Sequence, residues 1–269
     1  MTTHRGTALV RAVSPLLAEG IVTHVDRTEV DLALARRQHA AYVEALTGCG
    51  WGVRFVPPAD ECPDSVFVED TVVVCAGVAV LTRPGAAQRR TEVAAVEPVV
   101  RELGLRVARI EPPGHLDGGD VLQVGRTVYV GHSGRTDDEG IRQLTTLLAP
   151  LGRTVVAVPV SGLLHLKSGV TALPDGTCLA AGPDGSAAPA GPTDPAGPAA
   201  VAFPGALRVP EPTGALVVPL GGDDVLMPAS APRTAGLVAG LGFRPVVVDI
   251  SEFERLEGCV TCLSVLIAA

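Results

Sequence analysis

Four reactive side chains fall on one spacing. Glu69 and Asp117 are 48 residues apart, Asp117 and His165 are 48 apart, and His165 and Cys262 are 97 apart, about twice that step. Side chains that recur at one point of a repeating unit meet on an axis if the units surround one, and self-similarity at a fixed period decides architecture before any single motif does. The chemistry this quartet offers is covalent catalysis. A cysteine is the strongest side-chain nucleophile at neutral pH once it is a thiolate, and a nearby imidazole or cation lowers its pKa enough to supply one. Cys262 and His165 could form such a pair, with Asp117 or Glu69 available to orient the imidazole in the manner of a catalytic triad. Asp64, Asp70, Asp120 and Glu257 lie near the same positions, so the site carries an excess of acids. A substrate that needs several carboxylates is a cation, and a planar guanidinium, with its N–H groups in forks, matches paired carboxylates in shape as well as charge.

Taken singly, these residues have plainer readings. Cys259-Val260-Thr261-Cys262 reads as a redox or metal pair, but no second cysteine pair or His-x-x-x-His accompanies it, which argues against structural zinc. A histidine in the apolar run Leu163-Leu164-His165-Leu166 is by itself a packed core residue, Asp117-Gly118-Gly119-Asp120 a turn, and Arg89-Arg90 the solvated face of a helix start. The two glycines are flanked by acids, which does not suit an anion cradle. The shared period is what favours function.

The elements that must position these residues repeat with them. A short apolar strand follows a glycine before each site position: Gly52 into 53–56, Gly104 into 105–110, Gly152 into 155–158, with further copies after Gly205 (206–209) and Gly242 (246–249). That makes five. After each site position come two apolar runs around a turn, 72–75 with 78–81 and 121–124 with 128–130, then turns at Pro174-Asp175-Gly176 and Gly221-Gly222-Asp223. Residues 262–267 supply one strand only, and 7–13 are free to supply its partner, which would close a ring and remove exposed sheet edges. Helical spacing of apolar residues predicts helices over 28–47, 88–103 and 137–151, the first opened by a Thr28-x-x-Asp31 capping box and stopped by Gly48. Residues 181–205 are rich in Ala, Gly and Pro, whose prolines preclude a long regular helix, and read as a shortened helix with an irregular loop outside the ring.

Composition fits one soluble globular domain over 1–269, of α/β class, and ring-like repeat folds reach this size without splitting. Of 269 residues 47% are apolar, enough to fill such a core, and the net charge is −8 with no basic cluster beyond Arg89-Arg90, so nucleic acid is not expected as a partner. No apolar stretch approaches the ~20 residues that span a bilayer, so no membrane partner is expected either. The first thirteen residues lack the apolar core of a signal peptide, and six cysteines without one point to reduced thiols and a cytoplasmic location.

The runs Pro63-Asp64-Ser65-Val66-Phe67-Val68-Glu69-Asp70, Thr82-Arg83-Pro84-Gly85-Ala86, Leu116-Asp117-Gly118-Gly119-Asp120-Val121-Leu122, Leu164-His165-Leu166-Lys167-Ser168 and Thr261-Cys262-Leu263-Ser264-Val265-Leu266 resemble the dimethylarginine dimethylaminohydrolase (dimethylargininase) family. The match runs in order from about Arg11 to Ile267. The wider group is the guanidine-modifying, or pentein, superfamily, and the fold it implies is a five-bladed ring of ββαβ units. The resemblance implies hydrolysis of an Nω-methylated arginine to citrulline and a methylamine, without cofactor or metal. It casts Cys262 as nucleophile on the guanidinium carbon, His165 as acid and then base, and Asp117 as the carboxylate beside the imidazole. Glu69 and Asp70 would hold the guanidinium, Arg89 and Arg135 the α-carboxylate, and Asp64, Glu257 and the backbones of Leu17 and Leu256 the rest of the amino acid. Residues 14–20 would act as a lid. Arginine deiminase or amidinotransferase activity on another guanidine is the nearest alternative, and an inactive ligand-binding pentein the alternative of a different class. Two departures from the family pattern stand out. Glu257 replaces an expected aspartate, displacing the carboxylate by the reach of one methylene, and Leu263 replaces a cysteine found after the nucleophile in some relatives. The partner expected is a small guanidino amino acid, and the chain is expected to be a monomer or homodimer.

Overall fold

Short runs of Val, Leu and Ala bounded by glycine build the framework of a computed structural model in which residues 4–181 and 205–269 are described. Fifteen strands form five three-stranded sheets among those residues. The strands β1 (Gly6–Arg11) and β2 (Trp51–Val56) pair in parallel. The next sheet holds β3 (Val72–Cys75), β4 (Val78–Leu81) and β5 (Arg106–Arg109), and the third holds β6 (Val121–Val124), β7 (Thr127–His132) and β8 (Thr154–Pro159). Then come β9 (Val170–Ala172), β10 (Cys178–Ala181) and β11 (Leu207–Val209), followed by β12 (Val218–Gly221), β13 (Asp224–Pro228) and β14 (Arg244–Val248). In each sheet the middle strand pairs antiparallel with its hairpin partner and parallel with the lone strand. The last strand, β15 (Val265–Ala268), pairs antiparallel with β1, so the first sheet is built from both ends of the chain and the ring closes as the strand count predicts.

Four of the five glycines expected before lone strands, Gly104, Gly152, Gly205 and Gly242, have positive φ, a backbone open to glycine at little steric cost. In the first copy the residue in that conformation is Gly50, at φ 88°, and Gly52 lies inside β2. The repeat is therefore a turn requirement, met in the first copy two residues before the expected glycine.

Parallel pairing needs a crossover, and helices supply it. The first, α1 (Leu32–Gly48), is capped by Asp31, whose Oδ1 accepts the Leu34 N–H at 2.9 Å. Asp31 is the N-cap itself, not the far member of a capping box begun at Thr28. The helix expected over 88–103 divides into a 3₁₀ stretch, Ala87–Val93, and α2 (Val96–Glu102). Pro98 explains the division, because proline is tolerated only in the first turn of a helix and so fixes where α2 begins. The third, α3 (Asp138–Leu148), is capped by Asp137, which accepts the Gly140 N–H at 2.8 Å, and it tightens at Ala149-Pro150. A fourth, α4 (Pro232–Gly240), links β13 to β14, and one short turn, α5 (Ser251–Glu254), precedes the nucleophile segment. The shortened helix and loop expected in residues 181–205 fall almost wholly outside the described residues.

Buried apolar side chains fill the space between sheets and helices. The face of α1 that carries Ala35, Tyr42 and Leu46 packs on Ala8 and Val10 of β1 and on Val260 and Leu263 beside Cys262. Fully burying each of the larger apolar chains is worth about 1.5–3 kcal/mol. Tyr42 does more than pack. Its hydroxyl donates to the Val260 carbonyl at 2.7 Å and lies 2.8 Å from Ser264 Oγ, which pins the segment on both sides of Cys262 to the helix.

Candidate active site

Each site residue lies near the end of the connection from a lone strand, just before the next strand begins. Glu69 and Asp70 lie in the 3₁₀ turn Val68–Thr71, Asp117 precedes the turn Gly118–Asp120, His165 precedes Leu166–Ser168, and Cys262 ends a turn begun at Cys259. The fourth connection, Pro212–Ala215, holds the equivalent place and contributes Thr213, Gly214 and Ala215. The doubled step between His165 and Cys262 passes over that copy.

The turns touch one another at the axis. A Cβ on Gly118 would lie 2.0 Å from the Glu69 carbonyl oxygen, and one on Gly119 would lie 2.5 Å from His165 Nδ1 and 2.9 Å from Asp70 Oδ1. These two glycines thus serve close approach, not a turn of unusual φ. We expect Gly119→Ala to lower kcat by about 10²-fold, the cost of roughly an ångström of misplacement at a reacting centre, while thermal melting shows the protein still folded.

His165 is buried between carboxylates. Its Nε2 is 3.0 Å from Asp117 Oδ2 and 3.9 Å from Asp70 Oδ1. Burial alone would pull its pKa down, but Asp70, Asp117 and Asp120 outweigh it and hold the imidazole up to about 9. At neutral pH the ring is an imidazolium. Asp70 in turn accepts the Gly119 N–H at 2.8 Å and pairs with Arg89, and although burial opposes its charge, His165 and Arg89 hold its pKa down to about 2. Asp117 accepts the Gly85 N–H at 2.9 Å and has Arg135 at 3.8 Å, while its own N–H donates to Thr136 Oγ1 at 3.1 Å.

Asp120 does not face the cleft. Fully buried, it accepts hydrogen bonds from Ser133 Oγ (2.6 Å), Thr136 Oγ1 (2.7 Å) and the Leu166 N–H (2.9 Å), so it ties the turn of His165 to the loop that carries Arg135. Burial raises its pKa, and the nearby His165 and the two hydroxyls hold it back. Glu69 faces away from the cleft, toward an axial cavity of about 390 Å³, where it pairs with Lys167 and accepts the Thr261 hydroxyl at 2.8 Å. Its N–H donates to the Cys262 carbonyl at 3.2 Å. Burial raises the Glu69 pKa against the pull of Lys167.

The thiol of Cys262 is pushed well above its ordinary pKa. The Cys259 sulfur, 3.1 Å away, is the largest cause, burial follows, and the charges of Glu69 and Asp70 add to it. A bound cation would reverse the electrostatic part of that shift.

Cys262, His165, Asp70, Asp64, Arg89, Arg135, Leu256 and Glu257 line one small cleft together with Ile21. Its free volume is about 20 Å³, room for about one water and not for an amino acid. What closes it is the N-terminal segment. Asp64 accepts the Ile21 N–H, at 3.1 and 3.2 Å to its two oxygens, and Glu257 accepts the N–H groups of Thr23, His24 and Val25 and the Thr23 hydroxyl. These contacts come from residues that directly follow the segment expected as a lid, 14–20. Ser14 and Leu17 are buried, Leu17 among Phe67, Phe253 and Leu256, and its carbonyl accepts the Gly20 N–H at 3.0 Å. Leu17 does not line the closed cleft, and Glu257, which does line it, has its carboxylate bonded to Thr23, His24 and Val25. Glu257 also holds φ 62°, a left-handed backbone that costs a non-glycine residue about 1–2 kcal/mol. We expect Glu257→Ala to free the loop: amide exchange at Thr23 to Val25 should accelerate about tenfold or more, since a charge-assisted hydrogen bond is worth ~1.5–3 kcal/mol. Unchanged exchange would show that the loop is held by something else.

Arg89 is more committed than the sequence suggests. Its guanidinium donates to Glu92, Asp70 and the carbonyls of Asp64 and Phe67. Asp70, Asp117 and His165 could each offer a metal one ligand atom within 4.8 Å of the others. Arg89 lies directly on Asp70, however, and Arg135 near Asp117, so a second cation there would meet two guanidinium groups. The positioning roles of Tyr42, Ser133, Thr136, Lys167 and Thr261 were missed in the sequence. Only Lys167 and Thr261 stood in recognised motifs.

No family model matches the chain. It is 58% identical to the dimethylarginine dimethylaminohydrolase of Streptomyces coelicolor over 96% of this chain and 95% of the relative. It is 35% identical to the enzyme of that name from Pseudomonas aeruginosa, over 95% of this chain and 97% of the relative. Among solved structures, the Pseudomonas aeruginosa enzyme in complex with citrulline superposes with a TM-score of 0.86 at 34% identity, covering 98% of this chain and all of that one. The N-terminal domain of the cyanobacterial arginine dihydrolase ArgZ, at 20% identity and a TM-score of 0.78 over 97% of both chains, shares the fold. With five three-stranded sheets around an axis, a thiol and an imidazolium on one cleft, and relatives of 58% and 35% identity along nearly its whole length, the chain belongs to the dimethylarginine dimethylaminohydrolase family.

Proposed function

We propose that the protein hydrolyses Nω-methylated L-arginine, asymmetric dimethylarginine or monomethylarginine, to L-citrulline and di- or monomethylamine, with residues 1–269 acting as one catalytic domain. The observation that carries the reading is a buried imidazolium, held by Asp117 and Asp70, on the same closed cleft as a neutral thiol. The substrate is a cation that satisfies both groups. Its guanidinium enters the cleft lined by Asp70 and Asp64, and its positive charge lowers the pKa of Cys262 as it binds. The thiolate then adds to the guanidinium carbon. His165 gives its proton to the methylamine as the C–N bond breaks, leaving an S-linked thiouronium. The now neutral His165 takes a proton from water, which attacks the same carbon, and the C–S bond breaks to release citrulline and the thiol.

Preorganised charge supplies much of the rate in such sites. Asp70 is fixed by Arg89 and Gly119, and Asp117 by Gly85 and Thr136, so neither carboxylate has to reorient during the reaction. Glu69 shapes the floor through Lys167 and Thr261 and places Cys262 through its N–H. Arg135 takes the α-carboxylate. Arg89, already bonded on every nitrogen, helps by its charge. Leu17, Leu256, Asp64 and Glu257 hold the amino-acid end directly or through the lid, which opens for entry and excludes water when closed. The six free thiols suit a reducing cytoplasm.

Citrulline formation from asymmetric dimethylarginine, monomethylarginine and arginine, measured in parallel with purified protein, tests the reading. Turnover of the methylated substrates is the expected result. Turnover of arginine alone would make the protein a deiminase, and silence on all three would direct the search to another guanidine.

A further inference from the structure

The sulfur that raises the Cys262 pKa has no part in the proposed reaction. Cys259 is buried, does not line the cleft, and lies three residues before the nucleophile in a turn closed by the Cys262 N–H, which donates to the Cys259 carbonyl at 3.1 Å. Such a turn brings its end Cα atoms within about 7 Å, and disulfides span Cα distances of about 4.4–6.8 Å. The sulfurs themselves are 3.1 Å apart, so an approach of roughly 1 Å would complete a bond of ~2.05 Å. The Cys259 N–H also points at Cys262 Sγ, at 3.4 Å, and Thr261 Oγ1 lies 3.3 Å from Cys259 Sγ. Among the described residues, the other four cysteines, Cys49, Cys62, Cys75 and Cys178, make no sulfur contact with this pair, and the one cluster of possible metal ligands contains no cysteine.

We infer that Cys259 is a resolving cysteine, which traps an oxidised Cys262 as a reversible Cys259–Cys262 disulfide and so shields the nucleophile from irreversible oxidation. The oxidant is a hydroperoxide small enough for the cleft. Cys262 Sγ attacks the peroxide oxygen, an S–O bond forms as the O–O bond breaks, and the hydroxide that leaves takes up the thiol proton to become water. Cys259 then attacks Cys262 Sγ, an S–S bond forms, the S–O bond breaks, and the sulfenic oxygen leaves as a second water. Two thiols are oxidised by two electrons in all, and the peroxide is reduced to water. Attack by a neighbouring thiol competes with a second peroxide, which would carry Cys262 to sulfinate. The inference rests on the two sulfurs and not on the identity of the guanidine.

The test is mass analysis of the full chain after limited hydrogen peroxide. Trypsin cuts after Arg255 and releases 256–269, which holds both cysteines. The expected result is a peptide lacking two hydrogens, restored together with the lost activity by dithiothreitol. In Cys259→Ser the same treatment should instead add two or three oxygens to Cys262, with no recovery, each protein being compared with its own untreated sample. If the unsubstituted chain gains oxygens at Cys262 as fast and as irreversibly as the variant, the inference is wrong. The disulfide peptide of the unsubstituted chain decides the matter even if Cys259→Ser fails to fold, and it does so whether or not methylated arginine proves to be the substrate.

Discussion

Replacing Cys262 with alanine lowers kcat/KM for the methylated arginine by about 10⁴-fold or more, the scale on which removal of a covalent nucleophile acts. The expectation follows from what remains after the change. Asp64, Asp70, Arg135 and the lid are untouched, so the guanidinium still binds, but the carbon has no thiolate to accept and water must attack a resonance-stabilised cation directly. Affinity measured by calorimetry should therefore persist while citrulline formation vanishes. A variant that turned over at a tenth of the normal rate would mean that Cys262 is a packing residue and that another group carries the chemistry.

The second large effect lies at His165. His165→Ala should cost about 10²–10⁴-fold in kcat, the usual contribution of a positioned acid–base group. The size of the loss should depend on the leaving group. Dimethylamine must be protonated to depart, so its release needs the imidazolium, whereas a substrate that expels a thiolate needs no such proton and should lose less. The pH profile carries the same information. His165 is held up to about 9 by Asp70, Asp117 and Asp120. Its acid form is therefore present through neutral pH and is lost as pH rises through about 9, where the rate of amine departure should fall. In His165→Ala that alkaline limb should be absent. Burial would by itself have produced the opposite sign, a neutral imidazole at pH 7, so the limb reports directly on the carboxylates around the ring.

The ring was legible because its requirement recurs. Five copies of one supersecondary unit each need a left-handed residue before the lone strand and apolar runs on either side of a turn, so the period is visible even where single copies are irregular. The quartet Glu69, Asp117, His165 and Cys262 was visible for the same reason. Each stands near the end of the same connection, and the fold brings that connection of every copy to the axis.

What the period could not show is where side chains point after they arrive. Glu69 and Asp70 are adjacent in the chain, yet Asp70 faces His165 and the cleft while Glu69 faces Lys167 and the axial cavity. Glu257 was marked as a carboxylate displaced by one methylene. Its left-handed backbone instead aims it at the N–H groups of Thr23 to Val25, an outcome that depends on three-dimensional placement of a loop distant in sequence. The same holds for Arg89, whose pairing with Glu92 is helical and readable at three residues' separation, but whose contact with Asp70 is tertiary. The helix boundaries failed for a more local reason. Pro98 and Pro150 stood in the predicted helices and set where α2 begins and α3 tightens, and apolar periodicity ran straight through both.

The most direct measurement is to stop the reaction with acid during turnover of asymmetric dimethylarginine and to weigh the peptide of residues 256–269. The predicted result is a fraction of peptide carrying the substrate less dimethylamine, bound to Cys262 and absent from Cys262→Ala. Steady citrulline production with an unmodified peptide, undiminished in Cys262→Ala, would contradict covalent catalysis by this thiol.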